Sequence, residues 1–313
     1  MPAASTRLYV ILARKAPYGV IFRRGPSRQV ALLGWDTDRH QFRVGQWFKG
    51  RIYERRCDLS PSGEKLVYFA AKHKAPHYSW TVVSRPPFLA ALALWPKGDC
   101  WGGGGLFRNE RALLLNHRRL ERKLAPDCRL PRAISVEPLG KLAGGGEDEP
   151  ILGQRLARDG WQCLAAGRFR HSKIGDGGMR IVFDEPQIWR KVRGPWELQM
   201  LLRGHMEDGG PSYLLDHRVV DARGEPVLAM SRSDWADWSR SGELLFARDG
   251  RLYRVGIDEQ LGPREPEELI DLRSLKFEQL EPPEEALRWS GRGSRGRLVG
   301  QAAISNRGPK GQR

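Results

Sequence analysis

The sequence predicts an all-β fold assembled from repeated sheet units, and three observations lead there. Short runs of β-branched and aromatic residues alternate with Gly-, Pro- and Asp-rich turns, and no amphipathic helix is needed in the N-terminal third. The stretch Cys57-Asp58-Leu59-Ser60-Pro61-Ser62-Gly63-Glu64-Lys65-Leu66-Val67-Tyr68-Phe69 reads as a polar turn entering a buried strand: Pro61 presets φ, Gly63 supplies a positive φ, and the apolar run extends. The same grammar recurs without the proline in Asp237-Trp238-Ser239-Arg240-Ser241-Gly242-Glu243-Leu244-Leu245-Phe246. Asp58 and Asp237 lie 179 residues apart, which is about four units of roughly 45 residues. Ala157-Arg158-Asp159-Gly160 and Ala247-Arg248-Asp249-Gly250 lie 90 residues apart, about two such units.

The residues Asp58-Leu59-Ser60-Pro61-Ser62-Gly63-Glu64-Lys65-Leu66 resemble the Asp-x-Ser-Pro-Asp-Gly-Lys repeat of TolB-like and WD40-like β-propellers. Ser62 stands in place of the usual Asp, and one residue is inserted. The resemblance covers one full repeat and one eroded one, and the Gly-His to Trp-Asp pair of a true WD40 blade is absent from the sequence. It implies a β-propeller-like fold of roughly five to seven blades, each about 45 residues long. Members bind proteins, peptides or sugars on the propeller faces, so the resemblance implies a fold and not an activity.

Taken in order, the first strands are expected at Leu8 to Leu12, Tyr18 to Phe22, Gln29 to Leu33, Gln41 to Val44 and Arg51 to Arg56. They carry many cations (Arg7, Arg14, Lys15, Arg23, Arg24, Arg28, Arg39, Arg43, Lys49, Arg51, Arg55, Arg56), which read either as a nucleic-acid face or as the solvated outward positions of half-buried strands. After Ser79 to Ser84 and the Arg85-Pro86-Pro87 break, Phe88 to Trp95 reads as a buried strand, followed by Asp99, Cys100, Trp101 and four glycines, Gly102 to Gly105. No Lys-Ser/Thr follows the glycines and the next element, Leu106 to Leu115, reads as a hairpin, which excludes a P-loop. Arg85, Asp99 and Trp101 are candidates for a shallow recognition pocket, with tryptophan as the stacking face; alternatively the glycines permit close packing where strands converge.

Residues 130–150 are rich in Pro and Gly and read as a surface connection, with an internal boundary expected near 140–150 inside a domain spanning 1–289. Strands resume at Trp161 to Ala166, Met179 to Phe183, Gln187 to Val192, Tyr213 to Leu215, Arg218 to Asp221 and Pro226 to Met230, while Trp196 to Gly204 fits helix or strand. Trp235 and Asp237 are candidates for a contact at a blade end. Residues 290–313 are basic and poor in apolar side chains, and are expected to be a disordered tail.

Composition frames the function. The 313 residues are 40% hydrophobic, enough for a core, and 53 Lys+Arg against 37 Asp+Glu give a net charge of +16, which favours acidic partners. The cysteines Cys57, Cys100, Cys128 and Cys163 form no Cys-x-x-Cys and sit near no histidine pair, so no metal or cofactor is expected. The N-terminus has the wrong flanks for a signal peptide and no run is long enough to span a membrane, so a cytoplasmic protein with reduced thiols is expected. The reading is a non-enzymatic binding or scaffold protein docking a macromolecule, a protein first, on a loop face. The alternatives are a hydrolase using carboxylates such as Asp99 and Asp237, and a nucleic-acid platform on the basic strands and tail.

Overall fold

The computed structural model describes residues 6–25, 29–174, 178–205, 213–258 and 262–289. Among these, strands account for 50% and helices for 8%, so the class is all-β. Arg28 and the expected basic tail, 290–313, lie outside the described residues.

Two compact units divide the chain, the first built on Val10–Arg24 and Arg28–Arg155 with the chain from Lys276 onward, the second on Leu156–Leu275 with the segment up to Tyr9. The first sheet is an antiparallel meander of β1 (Arg7–Leu12), β2 (Tyr18–Arg24), β3 (Gln29–Asp36) and β4 (Gln41–Lys49). The second holds β5 (Arg51–Ile52), β6 (Asp58–Leu59), β7 (Leu66–Ala71), β8 (Ser79–Ser84) and β9 (Ala93–Lys97), with β5 and β6 both paired to β7. The third joins β10 (Gly105–Phe107) and β11 (Ala112–Leu115) antiparallel, then β12 (Ser135–Pro138) parallel to β11. Val67, Val83, Trp95, Phe107, Leu113 and Leu115 form a buried cluster across these sheets. Burying one such side chain contributes about 1.5–3 kcal/mol, so the cluster fixes the two sheets as a single support for their loops.

In the second unit, β13 (Gln162–Ala165), β14 (Arg168–Ile174), β15 (Gly178–Arg193), β16 (Trp196–His205), β17 (Tyr213–Val220) and β18 (Pro226–Met230) make the largest sheet. Next come β19 (Trp235–Trp238), β20 (Leu244–Arg248), β21 (Arg251–Val255), the short pair β22 (Ile257–Asp258) and β23 (Gly262–Pro263), and β24 (Glu267–Asp271), which pairs with β21. Their core gathers Trp161, Leu198, Val219, Met230, Trp238, Leu244 and Phe246.

The structure alters several element assignments. Arg51 to Arg56 breaks after β5 into a short 3-10 turn, Glu54–Arg56, which carries Arg55 and Arg56 inward. Phe88 to Leu92 is loop, tied down by Tyr68 Oη donating to the Leu89 carbonyl and Leu89 N–H donating to Gln46; only Ala93–Lys97 is strand. Residues 149–158 form the helix α1 (Glu149–Arg158), which the sequence reading missed, because Ile151 and Leu152 bury on one face. The two strands expected between Met179 and Val192 are the single long β15, and Trp196 to Gly204 is strand.

Gly63 has φ +79° and Gly242 +104°, so both copies of the repeated turn use the left-handed region that glycine tolerates. The turns share two bonds: Gly63 N–H donates to the Ser60 carbonyl and Gly242 N–H to that of Ser239, while Ser60 and Ser239 accept, through Oγ, the N–H of Lys65 and Glu243.

Candidate interaction surface

Strand direction gathers four loops of the first unit at one end of its sheets. Ser79 of β8 pairs with Lys97 of β9, so the 72–78 loop entering β8 and the 98–104 loop leaving β9 share that end. Gly105 pairs with Leu115, which returns the chain after β11, residues 116–123, to where the glycine run enters β10. β12 runs parallel to β11, so the segment after Pro138 leaves at the same end.

A buried polar layer locks these loops. The Lys97 side chain is 0% exposed, and its Nζ lies 2.8 Å from both Asp99 and Glu121, so one ammonium ties the 98–104 loop to the 116–123 loop. Arg56, fully buried, donates from Nε to Asp148 at 2.6 Å and from Nη1 to the Cys100 and Gly102 carbonyls at 2.7 Å, while its guanidinium stacks 4.6 Å from the Tyr53 ring. Asn116 accepts the Gly144 N–H and donates to the Gly145 carbonyl, holding the 139–148 segment. Gly104 N–H donates to Thr81 Oγ1, and that hydroxyl lies 2.7 Å from His117 Nε2. His117 Nδ1–H then donates to the Glu121 carbonyl at 3.1 Å. Burial pushes the His117 pKa down to about 4, so the ring is neutral and fits this chain of donors.

The glycine run is part of this layer and not a cradle for a ligand. Gly102, Gly103 and Gly104 are buried with φ of +76°, +84° and +82°, and their N–H groups donate to Gly146, Asn116 and Thr81. A Cβ on Gly103 would lie 2.3 Å from the Phe69 ring, and one on Gly104 2.3 Å from the Arg56 carbonyl. Close packing is therefore what the glycines serve.

Outward of the layer stand four large apolar side chains, one on each loop: Tyr78 is 41% exposed, Trp101 50%, Leu120 92% and Leu142 90%. Around them Lys72, Lys74, Arg118, Arg119, Lys123 and Lys141 are exposed. His73 approaches Cys100 at 4.0 Å, and Lys72 stands over the Phe48 ring, which packs edge-on against Trp80.

Of the residues singled out in the sequence, Asp99 and Trp101 meet here: the Trp101 N–H donates to the Asp99 carboxylate at 2.9 Å. Burial pushes the Asp99 carboxyl up, but Lys97 and that amide outweigh it and hold it below the usual range. Arg85 does not join them. It follows β8 at the opposite end of the sheet, roughly 20 Å away at the rise of a six-residue strand, and donates to the Glu285 carbonyl at 2.9 Å. In the second unit, Trp235 is buried on β19, and Asp237 is bound by Lys191 at 2.6 Å with burial raising its carboxyl above the usual range. Both candidate carboxylates are thus neutralised by lysines.

The N-terminal cations divide similarly. Arg23, Arg55 and Arg56 are buried, and desolvation lowers the pKa of Arg23. Arg24 is bonded to Glu54, and Arg14 to the Phe107 carbonyl. These five side chains work inside the fold, whereas Lys15, Arg39, Lys49 and Arg51 are exposed. Sequence reasoning found Trp101 but missed Leu120 and Leu142, whose only signal was a leucine set among charged or glycine neighbours.

No protein-family model matches the chain, and no curated protein matches it. Among the described residues no group of three or more His, Cys, Asp or Glu side chains could hold a metal ion, and no helix is long and apolar enough to cross a membrane.

Proposed function

We propose that this chain is a non-enzymatic binding or scaffold protein, propeller-like in build, that docks a macromolecular partner on the loop end carrying Tyr78, Trp101, Leu120 and Leu142. The observation that carries the reading is the exposure of one large apolar side chain on each of four loops, three of which are held in place by buried ion pairs. Singly exposed apolar residues need no explanation, whereas a cluster rimmed by polar groups marks an interaction site.

The propeller-like build draws support from spacing. β1 begins at Arg7 and β5 at Arg51, a step of 44 residues, close to the roughly 45 residues of a blade. Five sheets of three or more strands, each with antiparallel neighbours, would make one blade apiece. A cytoplasmic setting goes with this reading, since the four cysteines are free thiols.

The test is crosslinking inside the native host with benzoylphenylalanine placed at position 101 or 142, and at position 108 as the control. Arg108 is exposed beyond β10 at the other end of the sheets. The expected result is one dominant protein adduct shared by positions 101 and 142 and missing at 108. Identical adducts at both ends, or none from 101 and 142, would overturn the reading.

A further inference from the structure

We infer that the partner segment bound at this loop end is an acidic peptide carrying apolar side chains, an inference that rests on the docking role proposed above. The argument is the direction in which charges point. Each carboxylate that the buried layer uses is paired with an interior cation, Asp99 and Glu121 with Lys97 and Asp148 with Arg56, while Glu147 stands 3.9 Å from the same guanidinium. The cations on these loops do the reverse. Lys74, Arg119, Lys123 and Lys141 stand outward without an ion pair to any described residue. Interior lysine and arginine thus absorb the negative charge of the loops, and the potential left facing solvent is positive.

The apolar groups decide which polyanion fits. Leu120 and Leu142 are aliphatic and almost wholly exposed, and they gain only by burying other apolar surface. A phosphodiester backbone offers none, and bases stack on aromatic rings, of which this end exposes Trp101 and Tyr78. A peptide with Asp or Glu beside Leu, Phe or Trp satisfies both halves of the surface: its carboxylates meet the lysine and arginine rim, and its apolar side chains cover the leucines and the indole. Aromatic and aliphatic anchors inside a charged rim concentrate affinity at the anchors and association rate at the rim.

The test uses the full chain and an unbiased probe, a random 16-residue peptide library displayed on phage, with the best peptide then made with a fluorescent label. The expected outcome is enrichment of Asp and Glu interspersed with Leu, Phe or Trp. The labelled peptide should lose about tenfold or more in affinity to the Leu120→Ser/Leu142→Ser double variant and to Lys74→Glu/Lys141→Glu, and should weaken as salt rises. All four substitutions fall on exposed side chains, so an unchanged melting temperature certifies the fold. Failure to enrich any peptide, enrichment without acidic residues, binding indifferent to both variants, or tighter binding of a labelled 20-nucleotide thymidine strand would each overturn the inference. If the host crosslinks from position 101 still appear in those cases, the docking role stands and only the partner chemistry falls; if they vanish too, both fall.

Discussion

The Thr81 hydroxyl lies 2.7 Å from Nε2 of His117, and neither side chain touches solvent. With Nδ1–H donating to the Glu121 carbonyl, neutral His117 takes the Thr81 proton at Nε2, and charging the ring would place an imidazolium out of reach of water. Burial therefore opposes protonation of His117.

The sign of the pH effect follows. The folded pKa of His117 is about 4, below its ordinary value of 6.5. Above pH 6.5 both folded and unfolded chains hold it neutral, and its contribution is fully present. As pH falls from 6.5 towards 4 the unfolded chain takes up the proton first, and stability drops by up to about 3 kcal/mol. Denaturant titrations at several pH values should show this slope in the native chain and a flatter one in His117→Asn, which should also be less stable at pH 7.5. Parallel slopes would remove His117 from this role.

Lys97→Met keeps the volume and removes the shared ammonium. Asp99 and Glu121 are partly exposed and can rehydrate, so the loss is expected to fall below that of a fully buried pair, at about 1–3 kcal/mol. Hydrogen exchange should rise in residues 98–104 and 117–123 together while β2 and β3 stay protected. Exchange rising in only one of the two loops would mean that Lys97 does not couple them.

The glycine run supplies an internal control. Gly104→Ala places a Cβ 2.3 Å from a backbone carbonyl at φ +82°, whereas a Cβ on Gly98 meets nothing within 4 Å. Gly104→Ala is expected to cost on the order of 3 kcal/mol or more, and Gly98→Ala less than about 0.5 kcal/mol. Melting temperatures of the two variants check this directly.

What the sequence disclosed was the chemistry that is local. The turn at Ser60 to Gly63 and its copy at Ser239 to Gly242 are specified within a few residues by a hydroxyl, a glycine and the strand that follows, so their conformation was readable. The helix α1 was not, because Pro150, Gly153 and the Asp159-Gly160 turn read as breaks, and only the burial of Ile151 and Leu152 against the rest of the unit overrides them. Arg56 and Lys97 look like ordinary surface charges in a string of letters. Their inward course depends on carboxylates and carbonyls up to 92 residues away, and the loop end that they organise was visible only through Trp101.

The twin turns allow a last prediction. Ser239 Oγ accepts the N–H of both Gly242, at 3.1 Å, and Glu243, at 3.0 Å, and touches Ser241 Oγ at 2.8 Å. Ser60 Oγ accepts the Lys65 N–H at 3.2 Å and lies 3.4 Å from Ser62 Oγ. The inserted residue lengthens the first turn, and it leaves the Ser60 hydroxyl with fewer and longer bonds. Each neutral bond contributes about 0.5–1.5 kcal/mol, so Ser239→Ala should destabilise more than Ser60→Ala, by about 1 kcal/mol. Ser60 has compensation nearby, since Lys65 and Ser62 also bind Glu110 across to the third sheet. Glu110→Gln should therefore raise the cost of Ser60→Ala while leaving that of Ser239→Ala unchanged, and a double-mutant cycle measures the difference. Equal costs for the two serines in both backgrounds would show that the turns are held by their glycines and strands alone.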